Sequence, residues 1–162
     1  MQRPISTMSV WRELKMQILS FQGEELSKVG SGLDREVYRI NTTAFGEAYQ
    51  GKMVKYAARP TAIDKNEREF QTWMAVNGTR GEQYFAPIRD RSEGFEFLIM
   101  DYAEPVGAYG SVDGFEEMIQ EAVLLEDSSK YDIYAGNVGR HPSKGQVVID
   151  YPWGGAIEIA EQ

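Results

Sequence analysis

The sequence predicts an α+β fold in which a small five-stranded antiparallel sheet packs against one helix. A further helix precedes the sheet, and an abbreviated helical lobe that ends in a hairpin follows it. Segments rich in β-branched and aromatic residues alternate with Gly-rich or polar turns, which predicts the strands. Other segments carry apolar residues at helical spacing. The composition, 42% hydrophobic and 26% charged over 162 residues, is ordinary for a folded chain.

Composition and charge narrow the classes of function. Zero Cys and one His exclude a disulfide framework and a Cys/His zinc cluster, and they fit a reducing, cytoplasmic setting. The net charge of -8 disfavours sequence-independent nucleic-acid binding, which depends on Lys and Arg neutralising phosphates. Every apolar run is far shorter than a membrane span. We therefore expect no nucleic-acid partner and no membrane partner, whereas an acidic surface suits solubility or a basic protein partner.

The N-terminal part of the chain supplies the first predicted elements. Apolar residues at three- and four-residue spacing predict a helix over Ser9–Phe21, within an N-terminal segment of residues 1–23. Residues 25–40 are typical of two short strands around the Gly-rich turn Val29–Gly32. Met53–Ala57 is expected to form a third strand.

A second helix and two more strands complete the predicted sheet. Asp64, with Glu67 three residues later, is typical of a helix N-cap. The apolar stripe of this helix is formed by Phe70, Trp73 and Met74. Tyr84–Ile88 and Phe95–Tyr102 are strand-like, and the polar residues 89–94 between them indicate a turn.

These elements predict a first lobe over residues 24–106 and a second lobe over residues 107–162. A Gly-rich connection opens the second lobe. Helical spacing returns over Phe115–Leu125. A hairpin with its turn at residues 141–145 leads into the apolar strand Val147–Ile149. The short stretch after this hairpin leads us to expect an abbreviated lobe without a substrate platform.

The first turn has the residues of a loop that covers phosphates. Gly30 and Gly32 flank Ser31, and Val37 follows at the position that a valine occupies in such loops. Glycines allow backbone N–H groups to approach phosphate oxygens, because no Cβ stands in the way. Taken alone, the same segment also fits an ordinary hairpin turn.

A lysine and a glutamate form the next candidate pair. Alternation along the third strand places Lys55 on one face with Met53 and Ala57, and a Lys within an apolar strand requires an anion. An exposed edge-strand position is the alternative for Lys55 alone. Glu69 shares a helix face with Trp73, in line with buried residues. We therefore predict that Lys55 and Glu69 form an ion pair.

Three polar residues near the C-terminus carry the strongest signal. Asp132 and Asn137 lie five residues apart, and Asp150 follows at the end of an apolar strand. This order matches a catalytic loop followed by a hairpin and a metal-holding Asp. Oxygen ligands such as Asn137 and Asp150 suit Mg²⁺, which accepts few protein ligands and completes its shell with water and phosphate.

In these motifs the chain resembles the protein-kinase-like superfamily, from about Glu25 to Gly155, and it is closer to the atypical and small-molecule phosphotransferase branches than to ordinary protein kinases. The resemblance implies that ATP is bound by residues of the first lobe, namely Gly30, Ser31, Gly32, Val37, Lys55, Asp101 and Ala103. It implies Asp132 as the catalytic base, acting with Lys55 and Glu69, and Asn137 and Asp150 as the Mg²⁺ ligands.

The resemblance implies a minimal phosphotransferase that uses Mg²⁺ and ATP, with a protein among the candidate acceptors. The departures from the kinase-like pattern support a different class of function. Arg35 replaces the third loop glycine, and Met53 stands where a small residue usually lines the adenine pocket. The alternative is a pseudokinase-like protein-binding module with little or no catalysis, such as a phage-encoded inhibitor or regulator of a host protein.

Overall fold

The computed structural model describes residues 7–20, 25–31, 35–106, 114–125, 137–150 and 157–159. The helices in these segments are α1 (Thr7–Ser20), α2 (Pro60–Val76) and α3 (Phe115–Ala122), with 3₁₀ turns at Glu47–Tyr49 and Glu82–Tyr84. None of the described helices combines the length and the apolar composition that crossing a membrane would require.

The strands form three sheets and confirm the α+β class. In chain order they are β1 (Leu26–Ser31), β2 (Arg35–Ile40), β3 (Met53–Ala57), β4 (Ile88–Arg91), β5 (Phe97–Met100), β6 (Glu104–Pro105), β7 (Val123–Leu125), β8 (Val138–His141), β9 (Gly145–Val148) and β10 (Ile157–Ile159). The predicted five-stranded antiparallel sheet is present in the order β1-β2-β3-β5-β4. The others are a three-stranded sheet, β6-β8-β9, and a two-stranded sheet, β10-β7.

The chain divides into two compact units. Unit 1 comprises Met1–Asn66 and Arg89–Asp101, and unit 2 comprises Glu67–Ile88 and Tyr102–Gln162. Unit 1 contains α1 and most of the five-stranded sheet, whereas unit 2 contains α3 and the two smaller sheets.

The central strand of unit 1 is buried on both faces. Each residue of β3 is buried, although side chains alternate between the two faces of a sheet. Val54 and Tyr56 belong to the apolar cluster that α1 covers. The remaining residues of β3 therefore point to the opposite face, which places Lys55 there with Met53 and Ala57, as predicted.

Helix α1 supplies an aromatic and aliphatic core to the covered face. Trp11 stacks between Tyr49 and Phe97, with ring centroids 5.8 and 5.6 Å away. Leu14 and Ile18 follow at helical spacing and are buried in the same cluster. This stripe is the periodic signal from which the helix was predicted, and it explains why α1 lies on the sheet.

Helix α2 begins four residues earlier than the sequence analysis predicted. It starts at Pro60, whose fixed φ and missing N–H suit the first helical position, and the Ile63 amide donates to the Arg59 carbonyl at 2.9 Å. Asp64 therefore lies within the helix, and its assignment as N-cap is wrong. Met74 is 58% exposed, so it does not belong to the buried stripe that includes Trp73.

Other predicted boundaries also shift. The segment predicted as the strand Tyr84–Ile88 includes the end of a 3₁₀ turn, and β4 starts only after Pro87, which has no N–H for a strand ladder. The helix predicted to reach Leu125 ends at Ala122. The next three apolar residues form β7, which pairs with the unpredicted strand β10.

Unit 2 buries the last part of α2, α3 and the inner residues of the β8–β9 hairpin. Tyr84 packs edge-on against Phe115 with ring centroids 6.1 Å apart. Phe85 bridges to Val148 of β9, and the Ala86 amide donates to the Val148 carbonyl at 3.0 Å. These contacts hold the predicted C-terminal hairpin against the chain segment that precedes β4.

The ionisation of tyrosines at alkaline pH should report on the burial of their side chains in unit 1. Burial, with a hydrogen bond to Glu36, raises the pKa of Tyr38 from 10.0 to about 12. Burial and then a hydrogen bond to Asp90 raise the pKa of Tyr49, and burial raises that of Tyr56. Because the folded chain favours the neutral phenols, their stabilising contribution is complete below pH 10.0 and is lost as the pH approaches about 12.

We expect phenolate absorbance to rise in two phases, with the buried phenols ionising late or together with unfolding. Tyr49→Phe should remove one tyrosine from the late phase and leave the early phase unchanged. A single phase that accounts for all nine tyrosines near pH 10.0 in the folded chain would contradict this burial.

Candidate functional site

Lys55 lies in the middle of the sheet of unit 1. Its side chain is buried, with the residue 2% exposed, and β3 has β2 on one side and β5 on the other. Val37 and Leu98 are its direct partners across the two neighbouring strands. The alternative of an exposed edge-strand lysine is therefore wrong. A buried ammonium is stable only when anions or hydrogen-bond acceptors surround it.

Gly30, Val37 and Lys55 form one row across three strands, here called the lysine row. Gly30 is in register with Val37, and Val37 is in register with Lys55. With strands about 4.8 Å apart, the row spans about 10 Å. The register shifts between Lys28 and Gly30, which marks a bulge of the kind common beside functional sites. Ser31 ends β1, and Gly32 lies outside the described residues.

A buried asparagine, which the sequence analysis did not single out, lies beside this row. Asn66 of α2 is fully buried, and its Nδ2 donates to the carbonyl oxygen of Phe95 at 2.9 Å. The Lys55 carbonyl is 3.4 Å from the same nitrogen. Arg35 donates from Nη1 to Asn66 Oδ1 at 3.0 Å. An isolated Asn or Arg carries no periodic signal, so sequence patterning could not identify this contact.

The carboxylate of Asp101 is engaged in ion pairs. Arg89 binds it with two parallel hydrogen bonds of 2.8 and 2.9 Å, and Lys52 Nζ lies 3.4 Å from Oδ1. Bidentate pairs of this kind are strong and directional. The predicted nucleotide contact at Asp101 is therefore left to its backbone groups. The register between β4 and β5 could have indicated the ion pair of Arg89 with Asp101, but Arg89 was predicted to lie in a turn.

In unit 2 the structure brings Asn137 and Asp150 together at the open end of the β8–β9 hairpin. The Asn137 carbonyl accepts hydrogen bonds from the Ile149 amide at 2.8 Å and the Asp150 amide at 3.5 Å. Asn137 is 4% exposed, and Asp150 is half-buried. These two residues are called the amide–carboxylate pair below. Asp132, the predicted base, lies outside the described residues.

The predicted adenine-binding residue Ala103 packs against the same hairpin. Strand β6 pairs with β8, and the Val106 amide donates to the Val138 carbonyl at 3.1 Å. Gly139 permits this approach, because a Cβ there would lie 2.9 Å from Ile149 Cγ2 and 3.0 Å from the Ala103 Cβ and carbonyl oxygen. Ala103 and the amide–carboxylate pair thus belong to one packed group.

The turn of this hairpin is held by residues with structural roles. Lys144 Nζ donates to the carbonyl oxygens of Glu82 and Phe85 at 3.0 and 3.4 Å, and it lies 5.3 Å from the centroid of the Trp73 ring. His141 Nδ1 accepts hydrogen bonds from backbone amides within the turn, including the Lys144 amide at 3.3 Å. The histidine therefore stabilises the turn, and Lys144 is an anchor that the sequence analysis missed.

Glu69 is buried, with 1% of the residue exposed, and Trp73 and Val76 on the same helix face are buried too. Its ion pair with Lys55 remains a prediction. Among the residues that the structure describes, no three His, Cys, Asp or Glu side chains form a metal-binding group. The predicted Mg²⁺ ligands, Asn137 and Asp150, are a different set, made of one amide and one carboxylate.

The close contact at Gly139 predicts that one added methyl group lowers the stability of the fold. Gly139→Ala should destabilise the fold by about 1–3 kcal/mol, the usual cost of overpacking, because the neighbours Ala103 and Ile149 are themselves buried. Gly94→Ala is the matched control, since nothing lies within 4 Å of its added Cβ and its φ is not positive. Urea unfolding should leave that control within about 0.5 kcal/mol of the parent. Equal stability of the two variants would contradict the packing of Ala103 on the hairpin.

Comparison with known proteins provides no family assignment, since no protein-family model matches the chain and no curated protein matches its sequence.

Proposed function

We propose that the chain is a minimal kinase-like phosphotransferase that uses ATP and Mg²⁺. The observation that carries this proposal is the lysine row, in which Lys55 is buried and in register with Val37 and Gly30. A buried ammonium beside a Gly-containing bulge suits the phosphates of a nucleotide, because a positive charge and a residue without a Cβ lie within about 10 Å of each other. A lysine required only for solubility would lie at the surface.

The amide–carboxylate pair supports the Mg²⁺ part of the proposal. Asn137 and Asp150 are adjacent in the described structure, and both supply the oxygen ligands that Mg²⁺ prefers. The backbones of the two residues are joined by a hydrogen bond at the open end of the hairpin, which brings both positions to one place in the chain fold. Asp150 is half-buried, which lowers the competition from bulk water.

The remaining residues have proposed roles either in holding the nucleotide or in deprotonating the acceptor. When bound, ATP would supply the phosphoryl group and Mg²⁺ would offset its negative charge. Lys55 holds the phosphates and Glu69 orients Lys55. The backbone of Asp101 and the segment at Ala103 contact the adenine. Asp132 accepts the proton of the acceptor hydroxyl, a role that makes it the general base.

A protein-binding module is the second candidate, and a specific observation favours it. Met53 and Met100 are paired in register on the Lys55 face, and both are buried. Two bulky side chains occupy the region where the kinase-like pattern places a small residue beside adenine. Weak nucleotide binding combined with a net charge of -8 would suit a regulator that engages a basic protein surface, such as a phage-encoded inhibitor of a protein in the host cytoplasm.

Thermal unfolding with and without Mg²⁺ and ATP tests the enzyme against the binding module. A nucleotide present at a hundredfold excess over its Kd should stabilise the folded chain by about 2.7 kcal/mol. Lys55→Met should abolish this ligand-dependent shift, because the phosphates lose their buried cation. Lys28→Met is the matched control, since Lys28 lies on β1 of the same sheet with an exposed side chain. Its shift should equal that of the parent.

The comparison concerns the shift caused by ligand, so a change in the baseline stability of either variant does not affect it. No shift in the parent at millimolar Mg²⁺ and ATP would reject the phosphotransferase and favour the binding module. An undiminished shift in Lys55→Met would reject the assigned role of Lys55.

A further inference from the structure

We propose that Arg35 and Asn66 are positioning residues that hold the strand of Lys55 in place, and that Arg35 thereby compensates for the loop glycine it replaces. The proposal rests on the proposed function, because it concerns how the nucleotide-binding lysine is held. Every contact that supports it lies within unit 1.

Asn66 connects three parts of unit 1 through one side chain. Its Nδ2 has the Phe95 carbonyl at 2.9 Å, with the carbonyls of Lys55 and Glu96 at 3.4 and 3.5 Å. Asn66 is fully buried, so if its side chain is removed, water cannot replace the lost donor to these carbonyls. Since the Lys55 carbonyl is part of the group, the backbone from which the ammonium projects is held directly.

Arg35 completes the network from the second strand. Its partner across β3 is Ala57, and alternation therefore places Arg35 on the same sheet face as Val37 and Lys55. The guanidinium donates to Asn66 Oδ1 at 3.0 Å, and Arg35 is only 6% exposed. A glycine at this position would have no side chain to reach α2. Arg35 in place of a glycine therefore connects the start of β2 to α2.

The turn between β4 and β5 presents the Phe95 carbonyl oxygen to Asn66. Phe95 has a φ of 61°, and among the described residues it is the one non-glycine residue with a positive φ. This conformation is rare for a bulky side chain. The Arg91 guanidinium lies 4.6 Å from the centroid of the Phe95 ring, and the Phe95 amide donates to the Ser92 carbonyl at 3.0 Å. These contacts keep the Phe95 carbonyl directed at Asn66.

Two accounts of Arg35 make opposite predictions for Arg35→Gly, which restores the third loop glycine. If Arg35 only obstructs the loop, Arg35→Gly binds Mg²⁺ and ATP more tightly than the parent. If Arg35 positions Lys55, the variant binds them about tenfold more weakly, which is the effect expected for loss of one hydrogen bond to a charged group. Arg35→Lys keeps a cation at this position and should restore part of the affinity.

The amine reactivity of Lys55 provides a readout that requires no nucleotide. The full chain is treated with an acylating reagent under native conditions, and modification of each lysine is followed by mass spectrometry. We expect Arg35→Gly and Asn66→Ala each to raise the acylation rate of Lys55 about tenfold. Because both act through one contact, the double variant should react no faster than the more reactive single variant. The rates at the exposed Lys28 should stay constant in all variants.

Tyr49→Phe is the control for general destabilisation, because it removes a hydrogen bond to Asp90 elsewhere in unit 1. Acylation of Lys55 should not change in this variant. The proposal is overturned if Tyr49→Phe exposes Lys55 as much as Arg35→Gly does, or if Arg35→Gly tightens nucleotide binding with Lys55 still protected. If the parent binds no nucleotide, the proposed function fails, while the acylation rates still decide whether Arg35 and Asn66 position Lys55.

Discussion

The structure of unit 1 depends on the burial of a lysine in the middle of its sheet. All residues of β3 are buried, and the helix α1 covers the face that carries Val54 and Tyr56. The ammonium of Lys55 therefore faces the side of the sheet that α1 does not cover. Removing such a charge from water costs several kcal/mol unless partners surround it. A chain that keeps this residue in its central strand must arrange other polar groups around it.

Polar side chains hold β3 just before its start and at its centre. Lys52, directly before the strand, contacts Asp101, which also binds Arg89 through two hydrogen bonds. At the centre of the strand, the Asn66 amide approaches the Lys55 carbonyl. Hydrogen bonds to buried groups are directional and costly to leave unmade, so both contacts restrict the strand to one position. A site that must hold a ligand benefits from such rigidity, because its side chains need no reorganisation.

Local interactions in this chain could be predicted from the sequence, whereas contacts between distant residues could not. The two strands within residues 25–40 and the C-terminal hairpin were predicted, since alternation and turn residues are local signals. The turn predicted at Val29–Gly32 was misplaced, because Val29, Gly30 and Ser31 belong to β1. The start of α2 was misplaced because Asp64 was predicted to be the N-cap, whereas the helix begins at Pro60. Pro87 similarly delays β4. The roles of Asn66 and Asp101 depend on partners far along the chain, and no local pattern encodes them. The adjacency of Asn137 and Asp150 was implied by the hairpin register.

The central claim is that the lysine row of unit 1 holds the phosphates of a nucleotide. Nuclear magnetic resonance with Mn²⁺ in place of Mg²⁺ tests it directly, because the paramagnetic ion broadens the amide signals of nearby residues. The account predicts that the signals of Gly30, Val37 and Lys55 broaden only when ATP is present to carry the ion to the row. Unchanged signals of these three residues in the presence of ATP and Mn²⁺ would contradict the account.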